Sequence, residues 1–171
     1  VTTRVRKALN RLAADQPDKL FVADSRQRIG LFHNMVLKPN WVEATAAVQS
    51  DRDPRGLTPR ELATITKRLS QLSNRPTFVT LSEGGVLVCA EDLCRQVPIP
   101  PVRAPLDPVG AGDAFIAALA AALAAGATPW EAGAIANLAA AVTVEKLNET
   151  GTASPDEIRE RYELAEREAA A

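Results

Sequence analysis

Apolar positions along this chain follow two alternating patterns, one typical of helices and one typical of buried strands. Residues 3–14 repeat apolar side chains at helical spacing, so that these side chains share one face. They are Val5, Ala8, Leu9 and Leu12. Short apolar runs predict five strands, at 19–24, 35–37, 77–81, 85–90 and 94–99. This alternation predicts an α/β fold, in which helices flank a mostly parallel sheet.

Three later helices share one start signal, in which a hydroxyl residue is followed by proline and then, two residues later, by glutamate. The hydroxyl caps the helix, the proline suits its first turn, and the glutamate can bond back to the capping residue. The signal occurs at Thr58, Thr128 and Ser154. The three helices are expected to end near Ser73, near Leu147 and near the C-terminus. A further helix is expected to begin near Asn40.

The composition predicts one globular domain over residues 1–171. The chain is 46% apolar and 24% charged, with a formal net charge of -1, so it has no general attraction for nucleic acid or acidic membranes. Charged residues, proline or glycine interrupt each apolar run before it reaches membrane-spanning length, and we recognise no signal peptide. We therefore expect a cytoplasmic protein. The first residue is Val1 rather than Met, which suggests that an N-terminal part is missing.

The cysteines and the single histidine exclude several kinds of chemistry. Cys89 and Cys94 have no second cysteine pair and no neighbouring histidine, so a zinc site is not expected. Cys89 lies in an apolar strand, where we expect a buried reduced thiol. With His33 as the only histidine and no Gly-x-Ser-x-Gly, a serine-hydrolase triad has little support. General base chemistry must therefore rest on a carboxylate.

The stretch from Asp107 to Phe115 is the most informative of the chain. Gly110, Ala111 and Gly112 lead into Asp113 and an alanine-rich helical run. The first amides of a helix lack internal partners and attract anions, and glycines let a phosphate approach the backbone. A carboxylate beside bound phosphate can take the proton of an attacking hydroxyl, which points to phosphoryl transfer. In the alternative interpretation, the aspartate only favours the helix dipole.

A second segment, Leu37 to Glu43, places Asn40 and Glu43 one helical turn apart where a strand ends. At that edge α/β sheets bind ligands, and an amide with a carboxylate can hold the water shell of Mg²⁺. Alternatively, Asn40 caps the helix and Glu43 completes a capping box with it. Both interpretations can hold together, because capping uses the same side chains.

A third segment, Val79 to Val86, reads as a strand, a tight turn with two glycines, and another strand. Such a turn lets the backbone come close to a nucleotide. In the alternative interpretation it is an ordinary hairpin turn.

Taken in order, these motifs resemble the ribokinase family, the PfkB-type carbohydrate kinases. The resemblance rests on Asp-x-x-Gly-Ala-Gly-Asp-x-Phe at 107–115 and Asn-x-x-Glu at 40–43, and it covers the chain from about Leu20 onward. It implies a ribokinase-like, Rossmann-like layered fold. It further implies that Asp113 is the catalytic base, that Gly110, Ala111 and Gly112 form the anion hole, and that Asn40 and Glu43 organise Mg²⁺ and phosphate.

The same resemblance implies contacts to the nucleotide. The family has a Thr-x-Gly-x-x-Gly turn there, and this chain keeps Thr80 and Gly85 but has Ser82 at the first glycine position. Thr-x-Ser-Glu-x-Gly is more similar to the branch that contains heptose-phosphate kinases. Asp24 with Arg26 resembles an Asp-x-Arg that lies near the phosphates in the family, although a turn aspartate with a surface arginine explains it equally well.

The later part of the chain is expected, by resemblance, to flank the adenine and to hold a monovalent cation. Asn137 matches a base-side contact, and Gly151 marks the loop that follows the helix. Asp107 and the carbonyl of Val109 match ligands of the cation, K⁺. The alternatives are close helix packing for the small residues and a turn for Asp107 before Pro108.

The function implied is that of an ATP-dependent carbohydrate kinase, acting on a hydroxyl of a sugar or sugar phosphate with ATP, Mg²⁺ and K⁺. The early Gly-Gly signature, most sugar contacts and the lid of the family are absent, so the chain resembles the C-terminal, nucleotide-binding half. The alternative is a truncated or degenerate nucleotide-binding module without kinase activity by itself. Expected partners are a small sugar substrate and either a second copy of the chain or the missing half.

Overall fold

The computed structural model describes residues 1–148 and 151–169 and divides the chain into two compact units, Val1–Gln96 and Val97–Ala171. The helices are α1 Thr3–Asp15, α2 Trp41–Val48, α3 Pro59–Ser73, α4 Ala111–Ala124, α5 Pro129–Val144 and α6 Pro155–Ala169. The strands are β1 Val22–Ala23, β2 Val36–Leu37, β3 Thr77–Thr80, β4 Val86–Ala90 and β5 Leu93–Val97. Among the described residues, no helix is long and apolar enough to cross a membrane.

The strands form one sheet in the order β1-β2-β3-β4-β5. β1 pairs with β2 and β2 with β3 in parallel, whereas β3 and β4 are antiparallel. Two of these three pairings are therefore parallel, and α2 and α3 pack against the strands. The α/β expectation with a mostly parallel sheet flanked by helices is confirmed.

The core of the first unit lies between this sheet and the helices. Leu37 on β2, Val79 on β3 and Leu69 on α3 are fully buried and belong to one apolar cluster. In α3, Ile65 and Leu69 are four residues apart, so both face the sheet across one helical turn. At about 25 cal/mol per Å² of apolar surface removed from water, burial of this kind is the main stabilising term.

The predicted helix starts are confirmed by hydrogen bonds. Thr58 and Thr128 each form a complete capping box, with Glu61 and Glu131 as the returning carboxylates. Ser154 accepts from the backbone N–H of Glu157 and donates its own N–H to the Glu157 carboxylate, at 3.3 and 2.8 Å. α3 ends at Ser73 as expected, while α5 ends at Val144, a little before the expected end.

One expectation about the cysteines is wrong. Cys89 and Cys94 form a disulfide with their Cα atoms 4.1 Å apart, so Cys89 is not a reduced thiol. The reason is the hairpin of β4 and β5, whose short turn brings the two strands side by side. The apolar surroundings of Cys89 indicated burial, but they could not indicate which side chain lies across the neighbouring strand.

In the second unit, Gly151 packs closely against the end of α5. A Cβ placed on Gly151 would lie 2.8 Å from Thr143 Cγ2 and 3.0 Å from the Thr143 carbonyl oxygen. The position therefore has no room for a side chain larger than that of glycine. The Lys146 ammonium is 2.6 Å from a carboxylate oxygen of Glu157 and donates to the carbonyl of Thr152. These contacts join α5 to the start of α6.

We predict that Gly151→Ala lowers the free energy of unfolding by about 1–3 kcal/mol, because the added methyl group overpacks against Thr143. The matched control is Gly56→Ala, since a Cβ added at Gly56 would have no atom within 4 Å. That variant should change stability by less than about 1 kcal/mol. Chemical denaturation of both variants measures the difference, and equal stabilities would contradict the close approach.

A second prediction concerns pH. The hydrogen bond from Lys146, followed by those from the backbone and hydroxyl of Ser154, lowers the pKa of Glu157 from 4.5 to about 2. A carboxylate with a lowered folded pKa stabilises the fold above its unfolded pKa, and this contribution is lost as the pH falls. Glu157→Gln should therefore be less stable than the parent at pH 7, and the difference should shrink between pH 4.5 and about 2.

Thermal melts of the parent and the variant between pH 7 and the acid limit of folding measure this difference. Glu160→Gln, at an exposed position on the same helix, is the control and should show little change at any pH. A difference for Glu157→Gln that stays constant from neutral to acid pH would assign the loss to something other than the carboxylate charge.

Candidate active site

The start of α4 is built differently from the other helix starts. Gly110 is its N-cap residue and has φ +84°, in the left-handed region that residues with a Cβ rarely adopt. Within the described residues, α4 is the one α-helix that begins with no side-chain cap. The other α-helices are capped by Thr2, Asn40, Thr58, Thr128 and Ser154. The amides at the start of α4 are therefore not covered by a neighbouring side chain.

Of the four backbone amides from Gly110 to Asp113, two are used within the turn. Ala111 N–H donates to the Pro108 carbonyl at 3.3 Å, and Asp113 N–H donates to the Gly110 carbonyl at 3.1 Å. In the part of the chain that the structure describes, the amides of Gly110 and Gly112 donate to no protein acceptor. Gly112 is exposed, so a ligand can reach its amide. With the positive end of the helix dipole, these amides suit an anion.

Asp113 lies in the first turn of α4 and is exposed. No side chain or backbone group among the described residues bonds to its carboxylate, so both oxygens can meet a ligand. A carboxylate at this position also interacts favourably with the dipole of α4. A structural role of Asp113 as a helix-stabilising residue is therefore compatible with a chemical role.

Asp107 and Val109 form the turn before α4. The Asp107 Oδ1 accepts from the Val109 N–H at 3.0 Å, and the Asp107 N–H donates to the Val144 carbonyl at 2.7 Å. The turn expected from Asp107 before Pro108 is confirmed. Val109 is 58% exposed, and the monovalent-cation role of both residues stays a prediction.

Asn137 lies in the middle of α5 and is only 2% exposed. Its Nδ2 donates to the carbonyls of Val97 and Pro98, at 2.9 and 3.1 Å. The side chain therefore holds the segment that leaves β5. The predicted contact of Asn137 with a nucleotide base stays a prediction, as does the loop role of Gly151.

In the first unit, Asn40 and Glu43 form the capping box that one interpretation expected. Asn40 Oδ1 accepts from the Glu43 N–H at 2.8 Å, and the Glu43 carboxylate accepts from the Asn40 N–H at 2.9 Å. Both residues are half-buried. The capping box holds the two side chains in one arrangement at the carboxyl end of β2.

The donor set at this edge fits a hydrated magnesium ion. Among the described residues, no group of three His, Cys, Asp or Glu side chains could enclose a metal. Mg²⁺ prefers oxygen ligands and keeps several of its waters, so it does not need such a group. The amide and carboxylate oxygens of Asn40 and Glu43 are suited to bonding those waters.

The residues of the third segment lie beside this edge. Thr80 forms a parallel bridge with Asn40, and its N–H donates to the Pro39 carbonyl at 3.0 Å. The structure thus brings Thr80 and Asn40 together, which the sequence analysis did not predict. The following turn is held by Leu81 N–H, which donates to the Gly85 carbonyl at 2.8 Å.

Ser82 in this turn has φ +52°, a left-handed conformation in which a residue with a Cβ is strained. It stands at the position where the family pattern has glycine, so the backbone conformation is the one that glycine adopts without strain. Gly85 also has a positive φ, +79°. The turn thus keeps the backbone course of a glycine-rich turn although one glycine is replaced.

The structure adds one residue that the sequence did not reveal, Lys38. Its side chain is 8% exposed, and its ammonium lies 2.7 Å from Asp24 Oδ2. The position of a lysine directly after a buried strand was the available signal, but the pairing with Asp24 required the register of β1 and β2.

Comparisons with known proteins agree with this architecture. Residues 8–157 match the family model described as pfkB family carbohydrate kinase. The chain is 41% identical over 125 residues to the bifunctional protein HldE of Geotalea uraniireducens. This match covers 72% of the chain and 24% of the relative.

Solved structures give the same fold at lower identity. Ribokinase from Thermotoga maritima superposes with a TM-score of 0.76 at 24% identity, covering 92% of this chain and 53% of that one. Phosphofructokinase-2 from Escherichia coli, in complex with potassium, superposes with a TM-score of 0.77 at 22% identity. This match covers 94% of this chain and 53% of that one. The chain thus spans about a quarter of the HldE relative and about half of each kinase. Because the family model matches most of its length, the chain belongs to the pfkB family of carbohydrate kinases.

Proposed function

We propose that this chain is the C-terminal, nucleotide-binding part of an ATP-dependent sugar kinase. The reaction transfers the γ-phosphoryl group of ATP to a hydroxyl of a sugar or sugar phosphate. Asp113 takes the proton of the attacking hydroxyl as general base. The backbone at Gly110, Ala111 and Gly112 forms the anion hole for the transferred group.

The start of α4 is the observation that carries this proposal. A helix of 14 residues begins there without a side-chain cap, and the amides of Gly110 and Gly112 face no protein acceptor in the described part of the chain. Their N–H groups would stabilise the charge that develops on the transferred group. One such hydrogen bond contributes on the order of 3 kcal/mol to the transition state. Asp113 follows directly, with an exposed carboxylate that no described residue binds.

Asn40 and Glu43 would hold Mg²⁺ through its waters, and Asp107 with the Val109 carbonyl would hold K⁺. The divalent ion neutralises charge on the phosphates when it is bound. The capping box keeps the Asn40 and Glu43 side chains oriented before any ligand arrives, which lowers the entropy lost on binding.

We assign five residues to the nucleotide site, Thr80, Ser82, Gly85, Asn137 and Gly151. The turn at 82–85 supports this role, because Ser82 is exposed and the two glycines that follow carry no side chains. Asn137 would act on the base indirectly, since its side chain is buried and holds Val97 and Pro98.

The second candidate is a nucleotide-binding module that has no kinase activity by itself. The length of the match favours this second candidate, since the chain spans about half the length of the solved kinases that it resembles. A second copy of the chain, or a separate substrate-binding half, would then supply the sugar contacts. The two candidates differ in turnover but not in nucleotide binding.

We predict that Asp113→Asn lowers turnover by about 10²- to 10⁴-fold and leaves the affinity for MgATP almost unchanged. A general base contributes to the transition state, whereas the amide side chain keeps the size of the carboxylate. A coupled ADP-release assay across ribose, fructose phosphate, heptose phosphate and nucleosides measures turnover, and calorimetry measures MgATP binding.

Asp156→Asn is the matched control, because Asp156 is also an exposed carboxylate in the first turn of a helix. It should keep full turnover. Equal turnover in Asp113→Asn and the parent would remove Asp113 from the role of base. MgATP binding by the parent without any acceptor-dependent ADP release would support the second candidate.

A further inference from the structure

Lys38 is a buried cation at the carboxyl edge of the parallel strands. It directly follows β2, its N–H donates to the Ala23 carbonyl at 2.9 Å, and its side chain is 8% exposed. Its ammonium lies 2.7 Å from Asp24 Oδ2, and Asp24 directly follows β1. The pair therefore joins the ends of two neighbouring strands.

The two partners of this ion pair differ in exposure. The Asp24 side chain is 37% exposed, and its Oδ2 receives the buried ammonium. The open oxygen, Oδ1, has no hydrogen-bond partner among the described residues. Burying an ammonium removes most of its hydration, and such pairs are often no better for stability than apolar side chains. What this arrangement secures is the orientation of an exposed carboxylate.

The backbone on both sides of Lys38 is held in place. Ala23 accepts from its N–H, and the carbonyl of Pro39 accepts from the Thr80 N–H at 3.0 Å. Asn40 follows at once with its capping box to Glu43. Lys38 therefore has little freedom to move away from Asp24, and it lies two residues from the predicted magnesium-binding amide.

The charge of Lys38 is a second argument for its role at the carboxyl edge of the strands. Without Lys38, the carboxyl edge would carry the uncompensated carboxylates of Asp24 and Glu43, which would repel a polyanionic nucleotide. The buried ammonium of Lys38 compensates the negative charge of Asp24. The open oxygen of Asp24 can still accept hydrogen bonds from water.

We propose that Lys38 is a positioning residue for the nucleotide site. Its ammonium holds the Asp24 carboxylate so that the open oxygen can bond the waters of Mg²⁺ bound to the nucleotide. This inference rests on the proposed function, and it adds a residue that acts through Asp24 rather than by touching the nucleotide.

The test uses the full chain and measures MgATP binding by calorimetry, with the Mg²⁺ concentration varied at fixed ATP. Lys38→Met keeps the apolar stem and removes the charge, and Asp24→Asn removes the carboxylate charge at an exposed position. Each variant should raise the Mg²⁺ concentration needed for half-maximal ATP binding by about 10- to 100-fold, as the loss of an outer-shell partner does. Lys38→Arg should restore part of the loss, because it restores the charge.

The double variant decides between positioning and independent roles. If Lys38 acts through Asp24, Lys38→Met combined with Asp24→Asn loses no more than Lys38→Met alone. Multiplied losses would overturn the inference. The matched control is Lys67→Met, which removes an exposed ion pair to Asp92, 2.9 Å long, and should leave the Mg²⁺ dependence unchanged.

The remaining outcomes are also decisive. A lower melting temperature for Lys38→Met with unchanged Mg²⁺ dependence would show a purely structural role and overturn the inference. If Lys38→Met does not fold, unchanged Mg²⁺ dependence in Asp24→Asn overturns it equally. If the parent chain binds no MgATP, the proposed function fails and this inference fails with it. Parent binding without an effect of either variant overturns the inference alone.

Discussion

Backbone amides without acceptors at the start of α4 are the constraint on which the interpretation of this protein depends. Any helix leaves its first N–H groups without partners inside the helix, and burying them without a hydrogen-bond acceptor costs free energy. The other described α-helices satisfy the need with a hydroxyl or amide side chain. At α4 the cap is Gly110, whose left-handed backbone turns the chain without covering the amides. The uncovered amides and the positive end of the helix dipole favour an anion at such a helix start.

In the first unit, polar side chains are gathered at the carboxyl edge of the parallel strands. Parallel strands end at one edge, so residues that are far apart in sequence come side by side there. Asp24, Lys38 and Thr80 follow or end three neighbouring strands, and Asn40 begins the helix that leaves this edge. The ion pair of Lys38 with Asp24 and the capping box of Asn40 with Glu43 orient side-chain oxygens at this edge. We propose that this pre-organisation, rather than any single side chain, suits the edge to a hydrated cation and phosphates.

The predictions that succeeded were those that depend on short stretches of chain. The hydroxyl-proline-glutamate signals located three helix starts, and Asn40 with Glu43 formed the expected capping box. The pairing of Cys89 with Cys94 was missed, because apolar surroundings indicate burial but not which strand lies opposite. Asn137 was expected from the family pattern to approach a base, and its burial against Val97 and Pro98 depends on how α5 packs.

By itself, the sequence determined the α/β class, the helix starts and the glycine-rich helix start before Asp113. Each of these follows from local periodicity, capping chemistry or backbone freedom within a few residues. Only the tertiary structure decided that Lys38 is buried against Asp24, that Ser82 adopts a glycine-like backbone, and that two cysteines meet. Those features depend on strand register and packing between distant segments, which local pattern does not specify.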